Sequence, residues 1–269
     1  MCDLPAWYPD ELIAGVNRRL SMGQHIHTLV LWTKHPGRIV QPPLIGFITG
    51  LMNAGVQVYV HVSITGMGNR VCGTDVLGRL WKPEPRAPDM GDSLRILPDL
   101  VALVGNPGRV HLRFDPVVRF VDACGKEYSN KHCFNEVATG AARAGIRVLT
   151  FSLLQPGVYR KVDRRFVKLG IGLKGFLPEE VQDIWQDFRK RGEALGMDVR
   201  ACCVEGLPPS ACIDGKYLAG LHDEGLQVSL HKPCSRPMCH CTKSVDIGGW
   251  PPKSCPTGCD YCYARPLYY

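Results

Sequence analysis

Five short runs rich in β-branched residues, each separated from the next by a helical pattern, constrain the fold of this chain more than any other feature. They are Thr28–Thr33, Val56–Thr65, Arg109–Phe114, Arg147–Ser152 and Met197–Cys203. Helical patterns fall near Pro9–Leu20, Leu44–Asn53, Ser93–Val104, Asn135–Ala144 and Pro178–Leu195, with glycine or proline at most of the joints. Such alternation predicts βα units around a parallel sheet. The runs end in Thr33-Lys34, Thr65-Gly66, Arg113 to Asp115, Ser152 and Cys203. In β/α barrels the C-terminal strand ends carry the chemistry, so these residues would line one mouth. A partial barrel of about six strands is expected, one more than the visible runs. Met1-Cys2-Asp3-Leu4-Pro5 leads straight into the first helical pattern, so the remaining strand is expected from sequence upstream of Met1, from elsewhere in the chain, or from a second copy.

From Leu230 the character changes. The last forty residues are rich in Cys, Pro and Gly with little periodicity, which divides the chain into a barrel domain, residues 1–229, and a tail, residues 230–269. No apolar run reaches the roughly 18 residues that a membrane-spanning helix needs, and no basic segment followed by an apolar one marks a secretory signal. The chain holds 13 cysteines. An odd number cannot pair completely, and 269 residues bury a core without disulfide staples. The sulfur therefore points to metal or cluster ligation in a reducing cytoplasm. The net charge, +7 from 32 basic and 25 acidic residues, is mild, with its densest basic run at Tyr159 to Lys168. That run reads first as a solvated surface and second as a phosphate-facing one. The nine histidines form no metal-binding pattern and are expected to be ordinary core or surface residues.

Within the tail, Cys255, Cys259 and Cys262 follow a C-x3-C-x2-C spacing with Tyr261 before the last cysteine. Three thiolates on one loop can hold three irons of a cubane and leave the fourth open. A zinc ribbon normally needs two paired CxxC units, and only one is present here. A second set, Cys203, Cys212, Cys239 and Cys241, suits a closed four-cysteine site for an auxiliary 4Fe–4S cluster or a structural zinc. Cys202 competes with Cys203 in it, and Cys234 with Cys239.

The triplet resembles the radical S-adenosylmethionine (SAM) signature, and Gly258-Cys259-Asp260-Tyr261-Cys262-Tyr263-Ala264-Arg265 is similar to the cluster loop of the spore photoproduct lyase branch. In that branch the loop comes near the N-terminus; here it comes after the strands. This placement resembles an uncharacterised domain family, related to the DNA-repair photolyase-like enzymes, whose C-terminal cysteines imitate the radical-SAM motif. The likeness extends through Asp3 to Pro9, Trp32-Thr33-Lys34-His35-Pro36, Ile64-Thr65-Gly66, Glu84-Pro85, Arg113 to Pro116 and Asp246-Ile247-Gly248. The landmarks keep the order they have in photoproduct-lyase-like enzymes, with only the cluster loop moved. A circularly permuted radical-SAM barrel follows from the resemblance, its terminal loop folded back over the mouth near Asp3 and Lys34.

The resemblance implies reductive cleavage of SAM at an open 4Fe–4S site, to start radical chemistry on an unidentified substrate. It implies an electron donor such as ferredoxin or flavodoxin, and by analogy admits nucleic acid as a substrate. Asp3, Thr33 and Tyr261 become candidates for holding the cofactor, and Lys34, Arg113 and Asp115 candidates for catalysis. Arg113 and Asp115 flank Phe114, so both point to one side of their strand. Glu84-Pro85 is expected to shape a loop. The rival reading is a non-enzymatic metal protein, either an iron–sulfur electron carrier or a zinc-stabilised binding module.

Overall fold

A computed structural model of the chain describes residues 2–233, 238–249 and 253–264; Cys234 and Arg265 lie outside the described residues. Five parallel strands form the central sheet: β1 (Thr28–Thr33), β2 (Gln57–Ser63), β3 (Val110–Val117), β4 (Val148–Leu153) and β5 (Asp198–Ala201). They lie in sequential order, β1 to β5, without a reversal. Right-handed crossovers in a sheet of that order put every connecting helix on the same face, as in a barrel wall, whereas a doubly wound sheet reverses direction. Among the described residues the sheet has five strands rather than six, and it does not close on itself.

The helical layer follows from apolar residues at spacings of three and four. Leu12 and Val16 face inward from the Pro9–Ser21 helix, Leu44, Ile48 and Leu51 from Leu44–Asn53, and Leu97, Leu100 and Val104 from Leu97–Val104. Val137, Ala138 and Ala141 do so from Phe134–Arg143, and Val181, Ile184 and Phe188 from Pro178–Ala194. All but Val181 pack in one core with Val58, Val60, Val62, Leu112, Phe114, Leu149 and Phe151 of the sheet. Phe134 and Phe188 stack at 3.7 Å, with Phe114 and Phe151 edge-on to Phe188; each such pair adds about 0.5–1.5 kcal/mol beyond its buried area. Gly192 is required where its helix crosses β5, because a Cβ there would come within 2.2 Å of Val199.

One local expectation is corrected. The helix expected over Ser93–Val104 is divided into Met90–Arg95 and Leu97–Val104, since Pro98 lacks the N–H that would continue the first segment. The basic run, expected to be a solvated surface, lies on a helix, Arg160–Leu169, with only Val162 and Phe166 buried.

Short antiparallel pieces were not foreseen: a hairpin of Gly73–Thr74 with Leu80–Trp81, and a trio of Arg119–Val121, Glu127–Ser129 and Gly172–Leu173. They enclose a second core of Met67, Trp81, Val118, Phe120, Val162, Phe166 and Ile171. Cys259 and Tyr261 are buried in that core, and this seats the cysteine loop. No helix among the described residues is long and apolar enough to cross a membrane.

Candidate metal centre

The cysteine loop lies against the C-terminal ends of β1 and β2. Asp3 caps the short Leu4–Trp7 helix, one carboxylate oxygen accepting from Ala6 N at 3.2 Å. Its other oxygen accepts from Thr33 Oγ1 at 3.0 Å and from Lys34 N at 2.8 Å. Burial pushes the Asp3 carboxyl up to about 7, against these hydrogen bonds. Beside it, the buried Glu84 accepts from Lys34 Nζ at 3.1 Å, from Thr65 Oγ1 at 2.5 Å and from the Tyr261 hydroxyl. Burial works against the Lys34 charge, but the Glu84 carboxylate outweighs it and holds the ammonium above its usual range. Lys34 Nζ also sits 5.5 Å from the Tyr261 ring centre, a cation–π distance.

Side chains from several other segments hold the loop. Tyr8 donates to Ser254 O at 2.8 Å, Trp7 Nε1 to Thr257 Oγ1 at 2.8 Å, and Trp81 Nε1 to Asp260 Oδ2 at 2.7 Å. Arg165 donates to the carbonyls of Asp260 and Cys262. Burial, with Lys34 nearby, lowers the His35 imidazole to about 4. Its neutral Nε2, 3.0 Å from Thr257 Oγ1, can accept the hydroxyl proton while that oxygen accepts from Trp7. The loop thus touches the segment bearing Asp3 and shares Glu84 with Lys34.

The triplet's sulfurs differ. Contact with the Cys2 thiol, together with N–H groups of Asp3 and Thr257, lowers Cys255 to about 5. Burial pushes Cys259 and Cys262 up, opposed by Lys34 at the first and by the Ala264 N–H at the second.

The second group lies on the sheet face opposite the helices. Cys202 and Cys212 sulfurs are 3.5 Å apart, and Cys241 Sγ accepts from the N–H groups of Cys212 at 3.2 Å and Ile213 at 3.4 Å. Cys239 is in hydrogen-bond contact with Cys241. The thiol meeting Cys212 is that of Cys202; Cys203 follows it at a left-handed φ of 51°. Arg113 Nη1 donates to Cys212 Sγ at 2.7 Å, and the guanidinium pairs with Asp115, which also accepts from Ser152. Burial opposes ionisation of Asp115, but Arg113 holds its carboxyl below the usual range. Arg113 also lies over Trp32 at 4.8 Å. Arg113 and Asp115 therefore face the same side, bonded to each other and to the second cysteine group.

Sequence reasoning left out several of these residues. Glu84, expected only to shape a loop, joins Lys34, Thr65 and Tyr261; an acid between two prolines was the available signal. Cys2 meets Cys255. On the same face as Arg113, His61 and His111 are fully buried, and His111 lies between Tyr59 at 2.9 Å and Thr150 at 2.7 Å. His61 Nε2 donates to Cys212 O at 2.9 Å.

The donor set fits iron or zinc in kind: thiols shielded from bulk water, with backbone N–H groups aimed at Cys241 and Cys255. As the described side chains stand, no three Cys, His, Asp or Glu converge to hold an ion. The cavity bounded by Lys34, Thr65, Gly66, Gly68 and Glu84 is about 10 Å³, room for about one water. SAM does not fit that space without movement of these side chains. A larger groove of about 610 Å³ runs from Trp185 and Arg200 to Lys232 and His240, beside the second group.

Residues 8–264 match the family described as Domain of unknown function (DUF1848), and the chain belongs to that family. No curated protein and no solved structure matches it.

Proposed function

We propose that this member of the DUF1848 family is an iron–sulfur protein of the radical-SAM kind, holding a 4Fe–4S cluster through Cys255, Cys259 and Cys262. The observation that carries the reading is the seating of this loop against Asp3, Lys34 and Glu84 at the C-terminal ends of parallel strands, where β/α enzymes carry their chemistry. The sequential strand order supports a partial, circularly permuted barrel as the scaffold.

The chemistry such a group supplies when bound is one-electron cleavage of SAM at the open iron. This chain's residues do the rest. Asp3 and Thr33 orient the segment beside the loop, Tyr261 and Glu84 hold Lys34 as a cation, and Trp7, Trp81 and Arg165 keep the loop in register. Entry of SAM requires the Lys34–Glu84–Tyr261 contacts to part. The inward Arg113–Asp115 pair is suited to an anionic substrate group, and the second group, with Cys212, Cys239, Cys241 and either Cys202 or Cys203, to an auxiliary 4Fe–4S cluster or zinc. A ferredoxin or flavodoxin would supply electrons in a reducing cytoplasm; nucleic acid as substrate rests on analogy alone.

The small cavity at Lys34 favours a second reading, an electron carrier or zinc-stabilised binding module. Anaerobic reconstitution followed by EPR of the reduced protein, with and without SAM, separates the two. A spectrum that changes on adding SAM supports the enzyme; an unresponsive cluster, or zinc in both groups, supports the module.

A further inference from the structure

On that reading, three loop thiolates leave one iron without a protein ligand, yet the structure brings a fourth thiol beside Cys255. Cys2 Sγ donates to the carbonyl of Ser254 at 3.4 Å across 252 positions of sequence, and its thiol is in contact with that of Cys255. This contact is built rather than incidental. The next residue, Asp3, is fixed to the end of β1 by Thr33 and the Lys34 N–H, and Leu4 N closes a turn onto Cys2 O at 2.9 Å. From the other side, Ser254 is tied to the same segment by Tyr8. The thiol's present hydrogen bond is a weak one, to a carbonyl that already accepts from a phenol, so little is lost when the sulfur takes a metal instead.

We infer that Cys2 is a fourth thiolate ligand to the cluster of the Cys255 loop, closing in the resting protein the site that the triplet alone would leave open. Binding forms one sulfur–iron bond and releases the thiol proton to solvent; no electron changes hands. An incoming ligand must displace Cys2 to reach that iron. The inference rests on the cluster reading above, and its test is built to separate the two.

The full chain, Cys2→Ala, Cys2→Ser and the exposed-thiol control Cys124→Ala are reconstituted anaerobically, then oxidised mildly with ferricyanide in the absence of SAM. Iron is counted before and after, and EPR reports any 3Fe–4S form. The unsubstituted chain and Cys124→Ala are expected to keep their iron. Cys2→Ala is expected to lose about one iron in four from this cluster and to show the 3Fe–4S signal. Cys2→Ser keeps the volume and the hydrogen bond to Ser254, so the same loss with an unchanged circular dichroism spectrum assigns the effect to the sulfur. Equal iron loss and equal signal in the unsubstituted chain and Cys2→Ala overturn the inference while leaving the cluster intact. Iron absent from every protein overturns the cluster reading itself, and the role of Cys2 with it.

Discussion

The two cysteine groups lie on different supports. The Cys255 loop draws three of its thiols from eight consecutive residues and is clamped into a small second core by side chains from Trp7 to Arg165. Its neighbours are two carboxylates, Asp3 and Glu84, and two cations, Lys34 and Arg165. The Cys212 group is assembled from distant segments over the polar face of the main sheet, and its nearest charge is the Arg113 guanidinium. A thiolate that accepts directly from a guanidinium, as Cys212 does from Arg113, is compensated where it stands. One beside carboxylates relies on the metal for its positive charge. On the proposed reading the difference divides the labour: the Arg113-side group serves structure, and the Glu84-side group serves chemistry.

The strongest way to break this division is to remove the cation. Arg113→Ala leaves Asp115 and Cys212 without their partner, and loss of one member of a buried pair costs about 3–5 kcal/mol. Urea denaturation is expected to show that loss; a change below about 1 kcal/mol, the range of an exposed ion pair, would mean the two groups do not differ as argued. Glu84→Gln comes next. It uncouples Lys34 and weakens two hydroxyl contacts, for an expected loss of about 2–3 kcal/mol, and it should disturb metal at the Cys255 loop while sparing the Cys212 group.

Asp3 gives a pH test on the metal-free protein. Its carboxyl is raised in the folded state to about 7 from 3.8, so the folded chain binds this proton more tightly than the unfolded one. Below the unfolded value both forms are protonated and the group contributes no pH dependence. Between about pH 4 and 7 stability falls as pH rises, by at most about 1.4 kcal/mol per pH unit, and above the folded value it levels off. Asp3→Asn is expected to remove that slope from a series of denaturation curves; an unchanged slope would contradict it. The smallest effect is Trp81→Phe, which removes the donor to Asp260 at a cost of about 1 kcal/mol. It should loosen iron at the loop, read as faster release to a chelator, with no change at the Cys212 group.

Much of the scaffold was legible because its signals are local. The run Thr28–Thr33 and the pattern Leu44–Asn53 coincide with a strand and a helix end to end, since β-branching and three-to-four spacing act within a few residues. The spacing of Cys255, Cys259 and Cys262 is local in the same way. What stayed hidden depends on contacts across the chain. Whether Cys202 or Cys203 meets Cys212 turns on one backbone rotation. Glu84 gains its place only when Lys34, Thr65 and Tyr261 arrive from three other segments. His61 and His111 sit on strands whose second face is covered by residues around Cys212 and Tyr217, a cover that no periodicity in β2 or β3 announces. The two- and three-residue strands near Trp81 and Phe120 are too short to show alternation.

The central claim is that the Cys255 loop holds an iron–sulfur cluster. Iron and acid-labile sulfide, counted in the anaerobically reconstituted chain and in a variant carrying Cys255→Ala, Cys259→Ala and Cys262→Ala together, test it most directly. The account predicts iron and sulfide in equal amounts in the first, and loss of one cluster's worth of both in the variant, whose circular dichroism stays unchanged. Equal iron in the two proteins, or zinc without sulfide in the first, would contradict it.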